Sequence, residues 1–575
     1  MIRAYKQIEQ EKGFATRRRF LFALMIGGMV MLGARAIDLQ VLDKEFLQNQ
    51  GAIRHVDEID VSAYRGRILD RNGEPMAIST PVQSIWMNPQ QVVDVSSEQL
   101  NKLKQLLGLS KAKIDKATNK ASGRQFVYLK RRVNPDLAKQ AKALNIAGLH
   151  FEREFKRFYP SGEVSAHLLG FTNIDDVGQE GLELAYDRIL QGVIGRKRII
   201  RDGNYNIIDD YENIKNPDPG KDLVLSIDNR LQYLAYRELK KAVLANRALS
   251  GSLVMLDAKT GDVLALVNQP AFNPNTRANL NGHRYRNRAI ADVFEPGSTV
   301  KPFVIASALD SGVIDIDYRV DTRPGHYRVG RHLVRDIHNY GVLDLTHVLK
   351  KSSNVAISKI AHKMPAETFW GFYNRLGFGV SAGVGFPGEA SGKLLDYQGM
   401  GRFEQATLAF GYGVSSSVLQ LARAYTALAD DGLLHSVSLL KRDRDDFAQR
   451  VFAPATAKLV RSMLEHVVKK DGTAYRARVA GYRVAGKTGT VKKAIRGGYA
   501  DKKYQAVFVG MAPAGDPRLV IAVMIDEPSA GPYYGGLVAG PVFSKVMGGA
   551  LRVLSISPDQ EQNIPLLLVR QGDRV

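Results

Sequence analysis

A serine and a lysine three residues apart, Ser298 and Lys301, stand in the stretch "VFEPGSTVKPF". The Pro-Gly pair before the serine suits a helix start, and "VIASALDSG" continues behind it at helical spacing. Such residues lie on one helix face, one turn apart. A lysine made neutral by desolvation can activate a serine, and free backbone N–H groups at a helix start can stabilise an oxyanion. The pattern predicts a nucleophilic serine with its own base.

The same spacing occurs twice more, at Ser110/Lys113 and at Ser438/Lys441. Spacing alone therefore carries little weight. Only Ser298 follows a Glu-Pro-Gly stretch and precedes a helical pattern. We assign the chemistry to Ser298 and expect the other two pairs to be structural.

A second motif, Lys487-Thr488-Gly489-Thr490, follows the strand-like run "YRVAG". A second positive charge near Lys301 would help to lower its pKa. Lysine and threonine hydroxyls at a strand edge can bind a carboxylate, and glycine lets a substrate backbone approach. We expect these four residues to bind substrate.

A similar triplet, Lys259-Thr260-Gly261, lies between the runs "LVML" and "VLALV". Two short apolar runs around such a triplet predict a hairpin whose glycine takes the special turn conformation. We therefore expect a structural role for this copy.

A third motif, Ser352-Ser353-Asn354, stands between the other two in "VLKKSSNVAISKIA". Ser-x-Asn alone means little, but here it completes an ordered trio. The Ser352 hydroxyl can relay a proton to a leaving amine, and Asn354 can hydrogen-bond a peptide amide.

The 575 residues predict two or three domains, and a composition of 45% hydrophobic and 24% charged residues is that of a globular protein. The net charge of +22 favours an anionic neighbour. Basic residues are spread along the chain without a known nucleic-acid motif, so DNA binding is the least favoured alternative.

The absence of cysteine excludes disulfides, thiolate zinc sites and a cysteine nucleophile. Four histidines occur close together in sequence, at spacings unlike those of a metal-binding helix: His326, His332, His338 and His347. We expect them to be structural, and we expect neither a metal nor a cofactor.

Three arginines, Arg17, Arg18 and Arg19, precede an apolar run that we extend over residues 20–41. About 20 apolar residues span a bilayer, and preceding positive charge keeps an N-terminus in the cytoplasm. We predict a short cytoplasmic tail (1–19), a single transmembrane anchor and an exported body. The competing interpretation is a signal peptide cleaved near "ARA" at 34–36. Either way, export makes nucleic acid an unexpected partner.

A boundary falls within residues 201–222, where Asn, Asp, Gly and Pro cluster. Before it, residues 46–218 mix strand-like runs with turn signals. After it, helices and strands alternate over 219–556, and residues 557–575 form a tail.

The order of the three motifs resembles that of penicillin-binding proteins and serine β-lactamases. The stretches "RGRILDRNGEPMAIS", "YPSGEVSAHLLGF" and "GQEGLELAYDRILQG" resemble the N-terminal pedestal of class B penicillin-binding proteins. The runs "GTAYRARVAGYRVAGKTGTVKK" and "YYGGLVAGPVFSKVM" are similar to the division-specific FtsI type, also called penicillin-binding protein 3. Asn354 favours this type, since the elongation-specific relative typically carries Asp in that position.

The resemblance implies an α+β multidomain fold. A single N-terminal membrane helix would be followed by an elongated mixed pedestal domain and a transpeptidase domain with an antiparallel sheet and helices on both sides. It implies localisation in the bacterial inner membrane, with the catalytic domain in the periplasm.

The implied activity is peptidoglycan D,D-transpeptidation in septal cell-wall synthesis during cell division. Ser298 would attack the penultimate D-alanine of a stem peptide ending in D-Ala-D-Ala, with Lys301 as base and the backbone N–H groups of Ser298 and Thr490 as oxyanion hole. Ser352 and Lys487 would pass the proton to the departing D-alanine, whose carboxylate Thr488 and Thr490 would hold.

By similarity, Tyr504, Tyr533 and Tyr534 would line the apolar side of the pocket, although exposed loop tyrosines are the competing interpretation. β-Lactam antibiotics would acylate Ser298 and leave slowly. The N-terminal region lacks glycosyltransferase motifs, so glycan polymerisation would come from a SEDS-type polymerase of the FtsW kind, with other division proteins as partners.

Two alternatives stay open. Water could replace the acceptor amine, as in a D,D-carboxypeptidase or a β-lactamase. The chain could also be a catalytically silent penicillin-binding sensor or scaffold.

Overall fold

The computed structural model describes residues 2–44, 56–201, 207–276, 282–442, 448–495 and 497–560. The chain forms two compact units whose segments alternate along the sequence. Unit 1 comprises Met1–Ala63, Gln83–Glu154 and Val193–Asp218. Unit 2 comprises Tyr64–Val82, Phe155–Gly192 and Pro219–Val575.

Unit 1 begins with the helix Ile2–Ile37, which continues as a wider π-helical turn over Asp38–Leu42. Its apolar part, Arg17–Leu42, has 26 largely exposed residues, which is long enough to cross a bilayer. The segment is compatible with the single-pass anchor predicted from the sequence.

The body of unit 1 combines paired strands with three helices. The part of the strand Pro75–Met87 from Gln83 onwards pairs antiparallel with the strand Val127–Val133. Leu103, Leu107 and Leu129 are fully buried, whereas the lysines within residues 100–120 face solvent or are half-buried. These lysines therefore lie on a solvated helix face. The three helices in this part of unit 1 are Ser97–Leu107, Lys111–Thr118 and Pro135–Lys142. A separate antiparallel sheet joins the strands Val56–Val61, Gly195–Arg201 and Ile207–Lys215.

Unit 2 is built on a five-stranded antiparallel sheet, as predicted. Long apolar runs bury its central strands completely, so helices must cover both faces. Its strands, in spatial order, are Val263–Gln269, Ser250–Asp257, Leu519–Asp526, Gly498–Ala512 and Ala485–Ile495. The helices that cover it are Asn229–Ala245, Val418–Ala429, Pro454–Val468 and Gly540–Val553.

A helical region packs beside this sheet. Its helices are Lys301–Asp310, Leu345–Lys351, Asn354–Ala361, Ala366–Arg375 and Arg402–Ala409. Eight successive residues of the first, Lys301 to Ala308, are buried, which is typical of a helix at the centre of a domain. Small antiparallel pairs accompany them: Arg319–Asp321 with Val342–Asp344, and His326–Val329 with His332–Arg335.

The motif copies that we set aside are structural. Gly261 lies in the turn of the hairpin Ser250–Asp257/Val263–Gln269, at a φ of +73° that favours glycine. Ser110 caps the helix Lys111–Thr118 by accepting the N–H of Lys113 at 3.3 Å. The Ser438 hydroxyl donates to the backbone carbonyl of Leu440 at 2.8 Å.

Two arginines share one buried glutamate in unit 2. Arg65 Nε donates to Glu183 Oε2 at 2.8 Å, and Arg157 Nε donates to Glu183 Oε1 at 2.6 Å. Arg65 also pairs with Asp187 at 2.8 Å. Arg65, Arg157 and Glu183 are at most 4% exposed. The cluster joins the segments Tyr64–Val82 and Phe155–Gly192 within unit 2, and Arg65 and Glu183 belong to stretches that carried the resemblance.

We predict that Glu183→Gln destabilises unit 2 by about 3–5 kcal/mol, because two guanidinium groups lose their buried counter-charge. Thermal and urea unfolding of the full chain measures this. The matched control is Glu98→Gln, which removes a solvent-exposed pair with Lys102 and should cause no measurable change. Equal unfolding curves for the two variants would show that the buried cluster contributes nothing.

Candidate active site

Ser298 lies in a tight 3-10 turn, Gly297–Val300, that leads into the buried helix Lys301–Asp310. In a 3-10 turn the side chains three residues apart are eclipsed, which places Ser298 and Lys301 on one side. Gly297 has a φ of +56°, and a Cβ there would meet Val491 Cγ2 at 2.4 Å. This turn, which we call the nucleophile turn after the predicted role of Ser298, is thus pressed against the strand Ala485–Ile495.

Lys301 is completely buried and reaches the Ser-x-Asn motif. Its Nζ donates to the Ser352 carbonyl at 2.6 Å and to Asn354 Oδ1 at 2.7 Å, and lies 3.2 Å from Ser352 Oγ. The structure therefore brings together the first and third motifs.

Ser352 occupies the left-handed region, with φ +59° and ψ 41°, between the helices Leu345–Lys351 and Asn354–Ala361. A non-glycine residue in this region is strained and occurs mostly where surrounding contacts impose it. Here the strained conformation turns both the carbonyl and the hydroxyl of Ser352 towards Lys301.

Lys487 stands on the strand Ala485–Ile495 and is also completely buried. Its Nζ donates to Ser352 Oγ at 3.0 Å and to the Thr488 carbonyl at 3.2 Å. One serine hydroxyl thus lies between two buried lysines, and all three motifs meet at Ser352.

Burial lowers the pKa of both lysines. Desolvation and then the charge of Lys487 hold the pKa of Lys301 well below its usual range, partly opposed by Asp336. Desolvation lowers the pKa of Lys487 to about 7. Both shifts favour the neutral amine, which is the form that the hypothesis for Lys301 needs.

The remaining residues of the second motif fix the strand in place. Thr490 Oγ1 accepts the N–H of Gly535 at 3.0 Å. A Cβ on Gly489 would lie 3.0 Å from the Pro296 carbonyl oxygen and from Thr299 Cγ2. Glycine is thus needed here for close packing of the strand on the nucleophile turn, a reason that the sequence pattern did not reveal. Its predicted contact with a substrate backbone stays a prediction.

The three predicted tyrosines form one continuous stack. Tyr504 and Tyr533 lie with ring centroids 4.0 Å apart, and Tyr533 and Tyr534 with centroids 4.5 Å apart. Tyr504 and Tyr533 are half-buried, whereas Tyr534 is 48% exposed. The structure brings these residues together, and their role in lining a pocket stays a prediction.

Sequence reasoning missed Asp336, which holds the Ser-x-Asn segment. Its carboxylate accepts the Ser353 hydroxyl at 2.5 Å and the backbone N–H groups of Asn354 and Val355 at 2.5 and 3.1 Å. It therefore caps the helix that begins at Asn354. No local sequence pattern signals this contact, because Asp336 and Asn354 are 18 residues apart along the chain.

Comparison with known proteins identifies the class. The family model for the penicillin binding protein transpeptidase domain matches residues 251–548, and that for the penicillin-binding protein dimerisation domain matches residues 60–225. The chain belongs to the penicillin-binding proteins that combine these two domains. This confirms the predicted family and the predicted fold class.

The relatives narrow the class to the FtsI type. The chain is 44% identical over 560 residues to the probable peptidoglycan D,D-transpeptidase PenA of Neisseria meningitidis serogroup A, covering 96% of each protein. It is 41% identical over 564 residues to the peptidoglycan D,D-transpeptidase FtsI of Escherichia coli K12, covering 96% of this chain and 95% of FtsI. The transpeptidase domain of Burkholderia pseudomallei penicillin-binding protein 3 matches at 44% identity and a TM-score of 0.55, covering 59% of this chain and 98% of that domain. The chain is a class B penicillin-binding protein.

We predict that Asp336→Ala slows acylation by a fluorescent penicillin about tenfold to a hundredfold, because the acceptors that hold Lys301 lose their anchor. The matched control is Asp344→Ala, which removes the cap of the preceding helix, Leu345–Lys351. Both variants should lose about 1 kcal/mol of stability as helix caps, but only Asp336→Ala should lose acylation rate. Equal acylation in the two variants would exclude a positioning role for Asp336.

Proposed function

We propose that this protein is a serine-type peptidoglycan D,D-transpeptidase that cross-links stem peptides through an acyl-enzyme on Ser298. The observation that carries the proposal is the contact of Lys301 and Lys487 with the single hydroxyl of Ser352, beside the nucleophile turn. The enzyme class agrees with that of the relatives. A septal role in cell division fits the FtsI type.

The first step is acylation, with Lys301 as base. A neutral amine has two N–H groups and one lone pair. The Ser352 carbonyl and Asn354 Oδ1 can take both N–H groups, at 2.6 and 2.7 Å. The lone pair is then left to accept a proton, which Ser298 supplies as its oxygen attacks the carbonyl carbon of the penultimate D-alanine. The backbone N–H groups of Ser298 and Thr490 would stabilise the oxyanion.

The second step is the departure of the terminal D-alanine. The C–N bond breaks, and the amine nitrogen takes a proton from the Ser352 hydroxyl, which Lys487 replenishes. Thr488 and Thr490 would hold the leaving carboxylate. The side-chain amine of a second stem peptide then attacks the acyl carbon and gives up a proton through the Ser352 hydroxyl to Lys487. The C–O bond to Ser298 breaks, and Lys301 returns its proton to the Ser298 oxygen, which completes the cross-link.

β-Lactams would be recognised as analogues of D-Ala-D-Ala and would acylate Ser298, in keeping with a family that acts on peptidoglycan and binds β-lactams. The stacked tyrosines Tyr504, Tyr533 and Tyr534 would form an apolar wall for the acyl side chain. Their ring faces favour flat or branched apolar groups.

The topology that we propose follows from the arginines at positions 17–19. Positive charge on the cytoplasmic side would leave the N-terminus inside and the catalytic domain in the periplasm, with a single pass through the inner membrane. We propose residues 46–218 as the pedestal domain, 219–556 as the transpeptidase domain and 557–575 as a tail. A SEDS-type glycan polymerase of the FtsW kind would supply the glycan strands, and no nucleic acid is required.

Covalent labelling by a fluorescent penicillin tests the nucleophile directly. The native protein and Ser110→Ala should label equally and retain the label for many minutes, whereas Ser298→Ala should not label. Ser110→Ala is the matched control because it removes a serine at the same spacing from a lysine, outside the site. Absence of labelling in the folded native protein would exclude the acyl-enzyme mechanism and leave a scaffold role.

Products separate the transpeptidase from a hydrolase. The native protein, without penicillin, is incubated with stem peptides and a growing glycan. It should yield cross-linked dimers that Ser298→Ala cannot form. Trimmed stems without dimers would instead indicate a D,D-carboxypeptidase.

The pH dependence of acylation tests the role of Lys487. With its pKa lowered to about 7, this lysine loses its proton as the pH rises through 7. An amide donor needs that proton on its leaving amine, whereas a thioester with the same acyl group departs as a thiolate. The amide-to-thioester ratio of pre-steady-state acylation rates should therefore fall, approaching tenfold per pH unit well above pH 7. A ratio that stays constant from pH 6 to 9 would exclude Lys487 from the proton route.

A further inference from the structure

Thr473 is an additional residue beside the proposed carboxylate site. It follows the helix Pro454–Val468, in a turn closed by the N–H of Gly472 to the Lys469 carbonyl at 3.0 Å and by the N–H of Ala474 to the Val467 carbonyl at 3.0 Å. A Cβ on Gly536 would meet the Thr473 carbonyl oxygen at 2.0 Å, so the backbone of Thr473 packs directly against Gly536. The Thr473 side chain is exposed, and its Oγ1 lies 3.1 Å from Thr488 Oγ1.

The hydroxyl of Thr488 has one proton to donate and two lone pairs to accept with. Lys487 Nζ lies 3.4 Å from Thr488 Oγ1 and can donate to one lone pair. The ammonium form of Lys487 can only donate, so in that form this contact fixes Thr488 as an acceptor on that side. The Thr473 hydroxyl is the second neighbour, 3.1 Å away. Two hydroxyls can bond in either direction, so Thr473 can donate to the other lone pair of Thr488.

We propose that Thr473 is a positioning residue for the terminal carboxylate of the substrate: its hydroxyl donates to Thr488, so that Thr488 directs its own proton to the carboxylate. A carboxylate accepts hydrogen bonds and repels a lone pair, so the direction of the Thr488 proton decides whether this contact attracts or repels. Without the donor at position 473, the Thr488 proton is free to turn towards the protein. The inference rests on the proposed function, because it needs a substrate whose carboxylate meets Thr488.

Such a role makes a specific demand on substrates. Thr473 should matter for a donor that ends in a carboxylate, and should not matter for one that ends in an uncharged amide. A merely structural role for the turn would slow both donors equally.

The experiment compares two thioester donors on the full-length protein. One is N-benzoyl-D-alanyl-thioglycolate, which carries a terminal carboxylate, and the other is the corresponding thioglycolamide. The variants are Thr473→Val, which keeps the shape without the hydroxyl, and Thr473→Ser, which restores the hydroxyl. Thr456→Val is the matched control. Thr456 lies in the first turn of the helix Pro454–Val468, which precedes Thr473, and its hydroxyl donates to Asp310 Oδ1 at 2.9 Å.

In Thr473→Val, kcat/KM for the carboxylate donor should fall roughly fivefold to tenfold, mostly through KM, with less than about a twofold change for the amide donor. Thr473→Ser should recover the carboxylate preference, and Thr456→Val should retain it. If Thr473→Val unfolds, Thr473→Ala serves as the second variant without a hydroxyl.

Equal loss with both donors, or no loss with either, would overturn the inference. The result is distinguishable from failure of the proposed function. A native protein that neither turns over the thioester nor labels at Ser298 overturns both, whereas an active native protein with an unchanged donor preference in Thr473→Val overturns only the role of Thr473.

Discussion

The burial of two lysines around one serine hydroxyl is the constraint on which the rest of this site depends. Lys301 and Lys487 are both fully buried, and both lie within 3.2 Å of Ser352 Oγ. Two desolvated ammonium groups so close together repel each other, so the arrangement favours a neutral amine. Burying an unpaired charge costs free energy, so the surrounding fold has to stabilise the two buried lysine side chains.

Three elements supply that stabilisation from different parts of the chain. The buried helix Lys301–Asp310 carries Lys301, the edge strand Ala485–Ile495 carries Lys487, and the junction of two short helices carries Ser352. The strand approaches the nucleophile turn closely because Gly489 has no side chain. Asp336 anchors the junction and partly offsets the positive charge. The site is therefore a product of packing, and small changes in any element move the lysines relative to one another.

The same unit extends into segments that precede the motifs by more than a hundred residues. Arg65 and Arg157 share the buried carboxylate of Glu183, and these residues belong to the compact unit that contains the sheet. A glutamate between two arginines satisfies both charges only if all three stay in place. The segments Tyr64–Val82 and Phe155–Gly192 are thus part of the folded support of the transpeptidase unit, although the chain leaves this unit between them.

The amino-acid sequence by itself determined the family of this protein and predicted its chemistry. Residue types, order and context predicted the site residues Ser298, Lys301, Ser352, Asn354 and Lys487, and they set these motifs apart from the similar patterns at Ser110 and Gly261. These properties are local, because a turn signal, a helical pattern or a hairpin is encoded within a few neighbouring residues. The antiparallel sheet with helices on both sides followed from family resemblance.

Only the tertiary structure decided the energetics of the site. The left-handed conformation of Ser352, the cap from Asp336 and the contact of Thr473 with Thr488 join residues whose separation along the chain leaves no local pattern. The low pKa of Lys487 likewise depends on burial, which is a property of packing and not of the motif. A motif specifies which groups are present, whereas their protonation and alignment depend on what the folded chain places around them.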